Sequence, residues 1–128
     1  MLTQEGTISK PGNHEDPAAC EHISRTLARI GDRWTVLVVL KLGDGPRRFN
    51  ALRRGVGEIS QKMLTQTLRK LEQSGFVKRT VIAVKAPQVE YALTAFGEDF
   101  LFPVRGLAEW IATNSDRIAA ARAAYAST

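Results

Sequence analysis

The sequence contains a single cysteine, Cys20, and two histidines, His14 and His22, in 128 residues. One thiol cannot close an intrachain disulfide, so the fold has to be held by an apolar core and not by a disulfide framework. The three side chains also make a poor zinc site, because a C-x-H pair with a third ligand in a remote polar stretch does not match known ligand spacings. We therefore predict no metal site.

Long apolar runs are also missing. No stretch of 18 or more apolar residues occurs, which excludes a membrane-spanning helix. Met1–Pro17 is polar and lacks the apolar centre of a secretory signal, so we expect a cytoplasmic protein. The sequence has no glycine-rich phosphate loop and no nucleophile elbow, and we therefore expect neither an enzyme nor a bound cofactor.

Positive charge is concentrated in one segment. Between Lys41 and Lys85 there are 11 basic and 3 acidic residues, a net charge of +8. The remaining residues hold 7 basic groups (18 − 11) and 10 acidic groups (13 − 3), a net charge of −3. Clustered positive charge favours a polyanion such as DNA as the partner of that segment.

The segments before this basic region are typical of a scaffold. Residues 1–19 are predicted to form a flexible arm. Residues 20–30 show an apolar stripe at helical spacing and end at Gly31, while Asp32 can cap the next segment. Residues 34–42 are apolar on nearly every side, which favours a buried helix; the valines make a strand the competing interpretation.

The basic region itself predicts a helix-turn-helix. Arg47–Arg54 is predicted as a short helix with an apolar inner and a cationic outer face, and Gly55–Gly57 as a turn. Ser60 can cap a second helix that ends near Gly75, with Leu64, Leu68 and Leu71 inward. The opposite face of that helix carries no acidic residue, which is typical of a helix that enters a DNA groove.

The remaining chain predicts a wing and a long helix. Residues 76–83 and 88–93 alternate like two strands around a tip that contains Lys85. Thr94 can cap a final helix to about Ala124, which Pro103 should kink or divide. The predicted fold class is α+β, mostly α: a winged helix-turn-helix over residues 20–112, with extra N- and C-terminal helices, the latter over residues 94–124.

Helix geometry and residue chemistry suggest which side chains contact DNA. Gln61 and Gln66 suit adenine, Lys62 and Arg69 suit guanine or phosphate, and Thr65 suits a thymine methyl group or phosphate. Ser60 and the arginines suit the phosphate backbone, and Lys85 suits an adjacent minor groove. The predicted DNA-binding residues are Arg47, Arg48, Arg53, Ser60, Gln61, Lys62, Thr65, Gln66, Arg69 and Lys85. A merely solvated polar face is the alternative.

Cys20 is open to two interpretations. At the start of a helix, near His22 and Arg25, its thiol could ionise and be oxidised or alkylated, or could pair with its copy in a dimer. Otherwise it is a small buried filler. The apolar face of the last helix exceeds what a winged core needs, which indicates a partner surface.

Several motifs together resemble the HxlR-type winged helix-turn-helix regulators, a group akin to the MarR family. These motifs span roughly residues 20 to 110 in order: Cys20, IGDRWT at 30–35, GPRRFNALRR at 45–54, ISQKMLTQTLRKLE at 59–72, GFVKR at 75–79 and VEYALTAFG at 89–97. The arm before Cys20 departs from the shorter N-termini of that group.

The resemblance implies a homodimer that binds an inverted-repeat operator beside a promoter, more often as a repressor. It implies dimerisation through the first and last helices, here Ile23, Leu27, Phe100, Val104, Leu107, Trp110, Ile111 and Ile118. Several members sense electrophiles or oxidants through a cysteine placed like Cys20. With one thiol, any disulfide must join two chains or include a small thiol.

Three alternatives stay open at this stage. The winged fold could be a protein-interaction module, although such modules normally lack a cationic reading face. The regulator could respond to a small-molecule ligand and not to redox chemistry. A thiol enzyme that uses Cys20 would need a resolving cysteine or a positioned base, and the sequence offers neither.

Overall fold

The computed structural model describes residues 16–83 and 85–128. In this part of the chain, helices dominate and three short strands form one small antiparallel sheet. The elements in order are α1 (Pro17–Ile30), α2 (Arg33–Leu42), β1 (Arg47–Arg48), α3 (Phe49–Val56), α4 (Gln61–Gln73), β2 (Val77–Ala83), β3 (Gln88–Leu93) and α5 (Ala95–Ala126). The predicted winged helix-turn-helix with N- and C-terminal helices is confirmed.

Helix α1 begins three residues earlier than the apolar pattern predicts. The Asp16 carboxylate accepts a hydrogen bond from the Ala18 amide at 3.1 Å, and Pro17 occupies the first turn, where its missing N–H is no loss. Residues 17–19 therefore belong to a helix and not to the predicted arm. Residues 1–15 of that arm lie outside the described residues.

Helix α2 confirms the helical interpretation of its apolar segment over the strand alternative. Asp32 caps it, because its Oδ1 accepts a hydrogen bond from the Thr35 amide at 3.0 Å. Thr35, Val38 and Val39 are completely buried. Apolar residues on nearly every side suit this helix because it lies inside the domain, with neighbours in α3, α4 and α5.

The segment after Pro46 is not wholly helical, contrary to the prediction. Arg47 and Arg48 form strand β1, which pairs antiparallel with Tyr91 and Glu90 of β3. The wing is therefore a three-stranded sheet in the order β1-β3-β2, and not a two-stranded hairpin. Pairing with a strand more than 40 positions away is a tertiary effect that the local helical pattern of the arginines does not contain.

The predicted turn of the helix-turn-helix is also shifted. Gly55 lies within α3, and the helix ends at Val56. The change of direction takes place at Gly57, whose φ of +109° is a backbone conformation that other residues rarely adopt. Ser60 then caps α4 as predicted, with its hydroxyl accepting a hydrogen bond from the Met63 amide at 3.0 Å.

One apolar core joins the helices to the sheet. It combines side chains of the helices with the base of the sheet, and its buried members include Val38, Leu42, Leu52, Leu64, Leu68, Leu71, Val77, Leu93, Leu101 and Val104. The N-terminal part of α5 thus closes the core, whereas its C-terminal part extends beyond it. Thr94 caps α5 as predicted, by accepting a hydrogen bond from the Gly97 amide at 3.0 Å.

Helix α5 runs without a break from Ala95 to Ala126, with Pro103 inside it. Of the two expected effects of Pro103, a kink or a division, division into two helices does not occur. A proline removes one backbone hydrogen bond and crowds the preceding turn, but a helix anchored at Leu101 and Val104 in the core can continue through it.

Candidate nucleic-acid interface

Helix α4 has one buried face and one exposed polar face. Leu64, Thr67, Leu68 and Leu71 are at most 2% exposed and fix the inner face in the core. The outer face carries four exposed side chains, Gln61, Lys62, Gln66 and Arg69, with the half-buried Thr65 among them. These five residues line one shallow surface. The structure therefore brings together the predicted base-contacting side chains on one acid-free face.

Two hydroxyl groups of this region make hydrogen bonds with the backbone of α4. The Ser60 hydroxyl accepts a hydrogen bond from the Met63 amide, and the Thr65 hydroxyl donates to the Gln61 carbonyl at 2.8 Å. The Thr65 methyl group is the part best suited to a contact with a thymine methyl group. The Ser60 hydroxyl can still donate its proton to a phosphate oxygen.

A concave surface lies where α3 meets the start of α4. It is lined by Asn50, Arg53, Arg54, Gly57, Glu58, Ile59 and Ser60. Arg54 is exposed, and the N-terminal end of α4 carries partial positive charge. The guanidinium and the helix end together suit a phosphate of the DNA backbone. Asn50 was not predicted as a site residue, because a lone asparagine on a short helix carries no sequence signal.

Two of the predicted arginines hold the fold together. The Nε atom of Arg53 donates to the Ile59 carbonyl at 2.9 Å, which ties α3 to the start of α4. Arg47 is half-buried; its Nε donates to the Lys41 carbonyl at 3.4 Å, and its guanidinium lies 3.8 Å from Asp44. Both side chains are positioned by contacts within the chain, and their contact with the phosphate backbone stays a prediction.

Arg48 and the wing extend the cationic surface beyond α4. Arg48 is exposed and lines a second groove with Asn50, Arg54 and Gln88. Lys85 is exposed at the wing tip, as predicted, and Lys78 and Arg79 of β2 are also exposed.

At the base of the wing, burial raises the pKa of the Tyr91 phenol.

The opposite end of α4 carries an ion pair that the sequence did not predict. The Nζ atom of Lys70 lies 2.8 Å from Oδ2 of Asp32, the residue that caps α2. Burial alone would raise the pKa of Asp32, but hydrogen bonds from Lys70 and Thr35 outweigh it and hold that pKa below its usual value. A sequence separation of 38 residues hides this pair from local pattern analysis.

The predicted dimerisation residues fall into two groups. Six of them are large apolar side chains that remain 40% or more exposed: Ile23, Leu27, Leu107, Trp110, Ile111 and Ile118. The other two belong to the core of the chain itself. Val104 is 5% exposed, and the ring of Phe100 stacks on Phe76 at 4.6 Å between centroids. Residues at 100 and 104 precede the point where α5 leaves the core, so Val104 is unavailable to a partner.

Cys20 is exposed and lies in the second turn of α1, not at its start. Its amide donates to the Asp16 carbonyl at 3.0 Å, so that N–H already takes part in the helix. The exposure of Cys20 contradicts its interpretation as a small buried filler.

Within residues 16–83 and 85–128, no group of three histidine, cysteine or acidic side chains could hold a metal ion, and no helix there could cross a membrane.

Comparison with known proteins identifies the type of molecule. Residues 29–119 match the family model of the HxlR-like helix-turn-helix. YtfH of Escherichia coli, an HTH-type transcriptional regulator, is 44% identical over 96 residues, which are 75% of this chain and 76% of YtfH.

Solved structures agree with that match. The transcriptional regulator ytfH from Salmonella typhimurium has a TM-score of 0.72 at 38% identity, over 90% of this chain and 98% of that one. The redox regulator HypR in its reduced form also has a TM-score of 0.72 at 38% identity, over 77% of this chain and 98% of that one.

Proposed function

Because this chain belongs to the HxlR-like helix-turn-helix family of transcriptional regulators, we propose that it is a homodimeric repressor that binds an inverted-repeat operator through α4. One observation carries the proposal. The outer face of α4 presents Gln61, Lys62, Gln66 and Arg69 to solvent, with no carboxylate among them. A buried leucine face anchors the helix in the core while this polar face meets the base edges in a major groove.

The proposed contacts divide into reading and positioning. Gln61 and Gln66 pair with adenine, and Lys62 and Arg69 contact guanine or phosphate. Arg48, Arg54, Ser60 and Lys85 contact the sugar-phosphate backbone, which sets the register without reading sequence. Arg47 and Arg53 also contact the backbone, but only through the guanidinium N–H groups that their hydrogen bonds within the chain do not use.

Binding to the DNA upstream of the protein's own coding region, measured by fluorescence anisotropy, tests this proposal. Affinity should fall more than about tenfold between roughly 50 mM and 200 mM salt, because several phosphates are neutralised. Lys62→Gln should weaken binding and flatten the salt dependence. Arg122→Gln removes the same charge from the exposed end of α5 and is the matched control. Equal effects of both changes, or an affinity that salt does not alter, would contradict the proposal.

The proposed homodimer follows from two apolar faces that the monomer leaves uncovered. None of the residues Pro17–Ile30 of α1 is buried, although Ile23 and Leu27 form an apolar stripe. A lone 14-residue helix is marginal in water without tertiary packing. The C-terminal part of α5 exposes Leu107, Ile111 and Ile118 on one side. We infer that α1 and α5 of two copies cover one another.

Sedimentation velocity on matched variants tests this dimer. Ile111→Asp should produce monomers, because a carboxylate would be buried in the interface. Phe102→Asp is the control, since Phe102 is 82% exposed and lies about two and a half turns from Ile111, on the opposite side of α5. Dissociation by both changes, or by neither, would argue against the proposed interface.

We further propose that Cys20 makes the repressor responsive to oxidants. The thiol is exposed on α1, the helix that the proposed dimer buries in part. Structures of HypR, described as a redox regulator, exist in reduced and oxidised forms. With one cysteine per chain, oxidation would form a disulfide between two chains or with a small thiol, and the oxidant would take up two electrons and two protons.

A further inference from the structure

Helix α4 is held at both ends by polar contacts as well as by its buried leucines. Near its start, Nε of Arg53 on α3 donates to the Ile59 carbonyl at 2.9 Å. Near its end, Nζ of Lys70 donates to Oδ2 of Asp32 at 2.8 Å. Both contacts are partly buried, although the side chains of Lys70 and Asp32 remain 44% and 38% exposed. The two anchors lie at opposite ends of the helix that carries the reading face.

The Asp32 carboxylate accepts hydrogen bonds from two helices, α2 and α4. Its Oδ1 accepts from the Thr35 amide at 3.0 Å, which caps α2. Its Oδ2 accepts from the Thr35 hydroxyl at 2.8 Å and from Lys70 at the same distance. Thr35 is fully buried, so its hydrogen bonds to the Asp32 carboxylate hold that group in place independently of Lys70. A fixed acceptor orients its partner better than a mobile surface carboxylate does.

We propose that the Asp32–Lys70 pair is a positioning device that sets the angle at which α4 enters DNA, and so determines sequence preference without contacting DNA. This inference rests on the proposed DNA binding by α4. The leucine face fixes how deeply α4 is seated, but leucine contacts are non-directional and tolerate small rotations. The charge-assisted hydrogen bond at the far end is directional and limits such rotations. Asp32 also follows Gly31 directly, so the pair connects α4 to the end of α1.

Charge and geometry predict opposite effects for one substitution. Asp32→Asn removes a negative charge, so a purely electrostatic effect would tighten binding to every DNA. Loss of positioning would instead weaken binding to the preferred sequence alone. Asparagine caps helices about as well as aspartate, so the cap of α2 should survive while the ion pair is lost. The sign of the change therefore separates the two explanations.

The test compares two DNA probes. One is a duplex enriched from random sequences by the wild-type protein, and the other is a shuffled duplex of the same length and composition. Asp32→Asn should bind the enriched duplex about tenfold more weakly, which corresponds to about 1.4 kcal/mol, and the shuffled duplex equally or more tightly. Asp44→Asn is the matched control, because it makes the same charge change at a longer, 3.8 Å contact with Arg47. It should leave the ratio of the two affinities unchanged.

Variants of Lys70 test the other partner of the pair. Lys70→Met should lower the affinity ratio as Asp32→Asn does, and the double variant should lower it no further. Lys70→Arg, which can still pair with Asp32, should keep the wild-type ratio. Thermal unfolding establishes that each variant is folded at the assay temperature.

The outcomes distinguish this inference from the function on which it rests. Tighter binding of Asp32→Asn to both duplexes, or an unchanged ratio in both Asp32→Asn and Lys70→Met, would overturn the positioning role and leave DNA binding intact. Failure of the wild-type protein to enrich any sequence would overturn both.

Discussion

Gly97 in the first turn of α5 lies directly against the backbone of Phe76, so that a β-carbon at residue 97 would overlap the Phe76 carbonyl oxygen. The start of α5 is thereby fixed to the start of the wing. Gly97→Ala should lower the free energy of unfolding by about 2 kcal/mol, because backbone and not a flexible side chain must move. Denaturant unfolding at one fixed protein concentration measures this change.

Gly106 in the same helix is the control for Gly97. A β-carbon at Gly106 would meet nothing within 4 Å in the described chain. Gly106→Ala should therefore raise the free energy of unfolding by about 0.5–1 kcal/mol, since alanine loses less conformational entropy in a helix. Destabilisation by Gly106→Ala would mean that another surface packs closely there, and equal effects of both changes would refute the close contact at Gly97.

Gln66 should determine base preference. Gln66→Ala should relax the preference at one position of the selected DNA by about 1–3 kcal/mol, the value of a bidentate contact. Gln73→Ala is the control, because Gln73 lies at the C-terminal end of α4, about two turns away. Selection from random duplexes with each variant measures the effect. An unchanged preference in Gln66→Ala would remove Gln66 from the reading residues.

The Asp32–Lys70 pair should make stability depend on pH at the acidic side. The pKa of Asp32 is lowered in the folded chain, so its contribution is fully present above the ordinary aspartate pKa of about 3.9 and is lost as the pH falls through the lower folded value. Wild type should therefore be more stable than Lys70→Met at pH 7, and the two should converge in acid. Denaturant unfolding from neutral to acidic pH measures this difference; a constant difference would contradict it.

Oxidation should weaken operator binding through Cys20. Treatment with diamide should lower the affinity of the wild-type protein for operator DNA, and a reducing thiol should restore it. Cys20→Ser should bind with the same affinity before and after treatment, since serine cannot form a disulfide. Equal loss in both proteins would end the sensor proposal and leave the DNA-binding proposal unaffected.

Local signals were enough to predict most of the fold. Caps at Asp32, Ser60 and Thr94 act over three residues, and all three are confirmed. The leucine stripe of α4 and the strands β2 and β3 were also predicted correctly, although burial does not alternate along either strand. These features could be predicted because residues close together in the sequence determine them.

The errors arise where distant residues decide the outcome. Arg47 and Arg48 form a strand because they pair with β3. The Asp32–Lys70 pair joins helices that local periodicity treats separately. Val104 shows the same limit, because the pattern of α5 marks its apolar face but not where the core ends.

The central claim is that two copies of α4 present their acid-free faces to one duplex. Hydroxyl-radical footprinting of the wild-type protein on its selected DNA tests this most directly. We expect two protected, inverted half-sites whose centres lie about 34 Å apart, one turn of DNA. A single protected half-site, or protection without inverted symmetry, would contradict it.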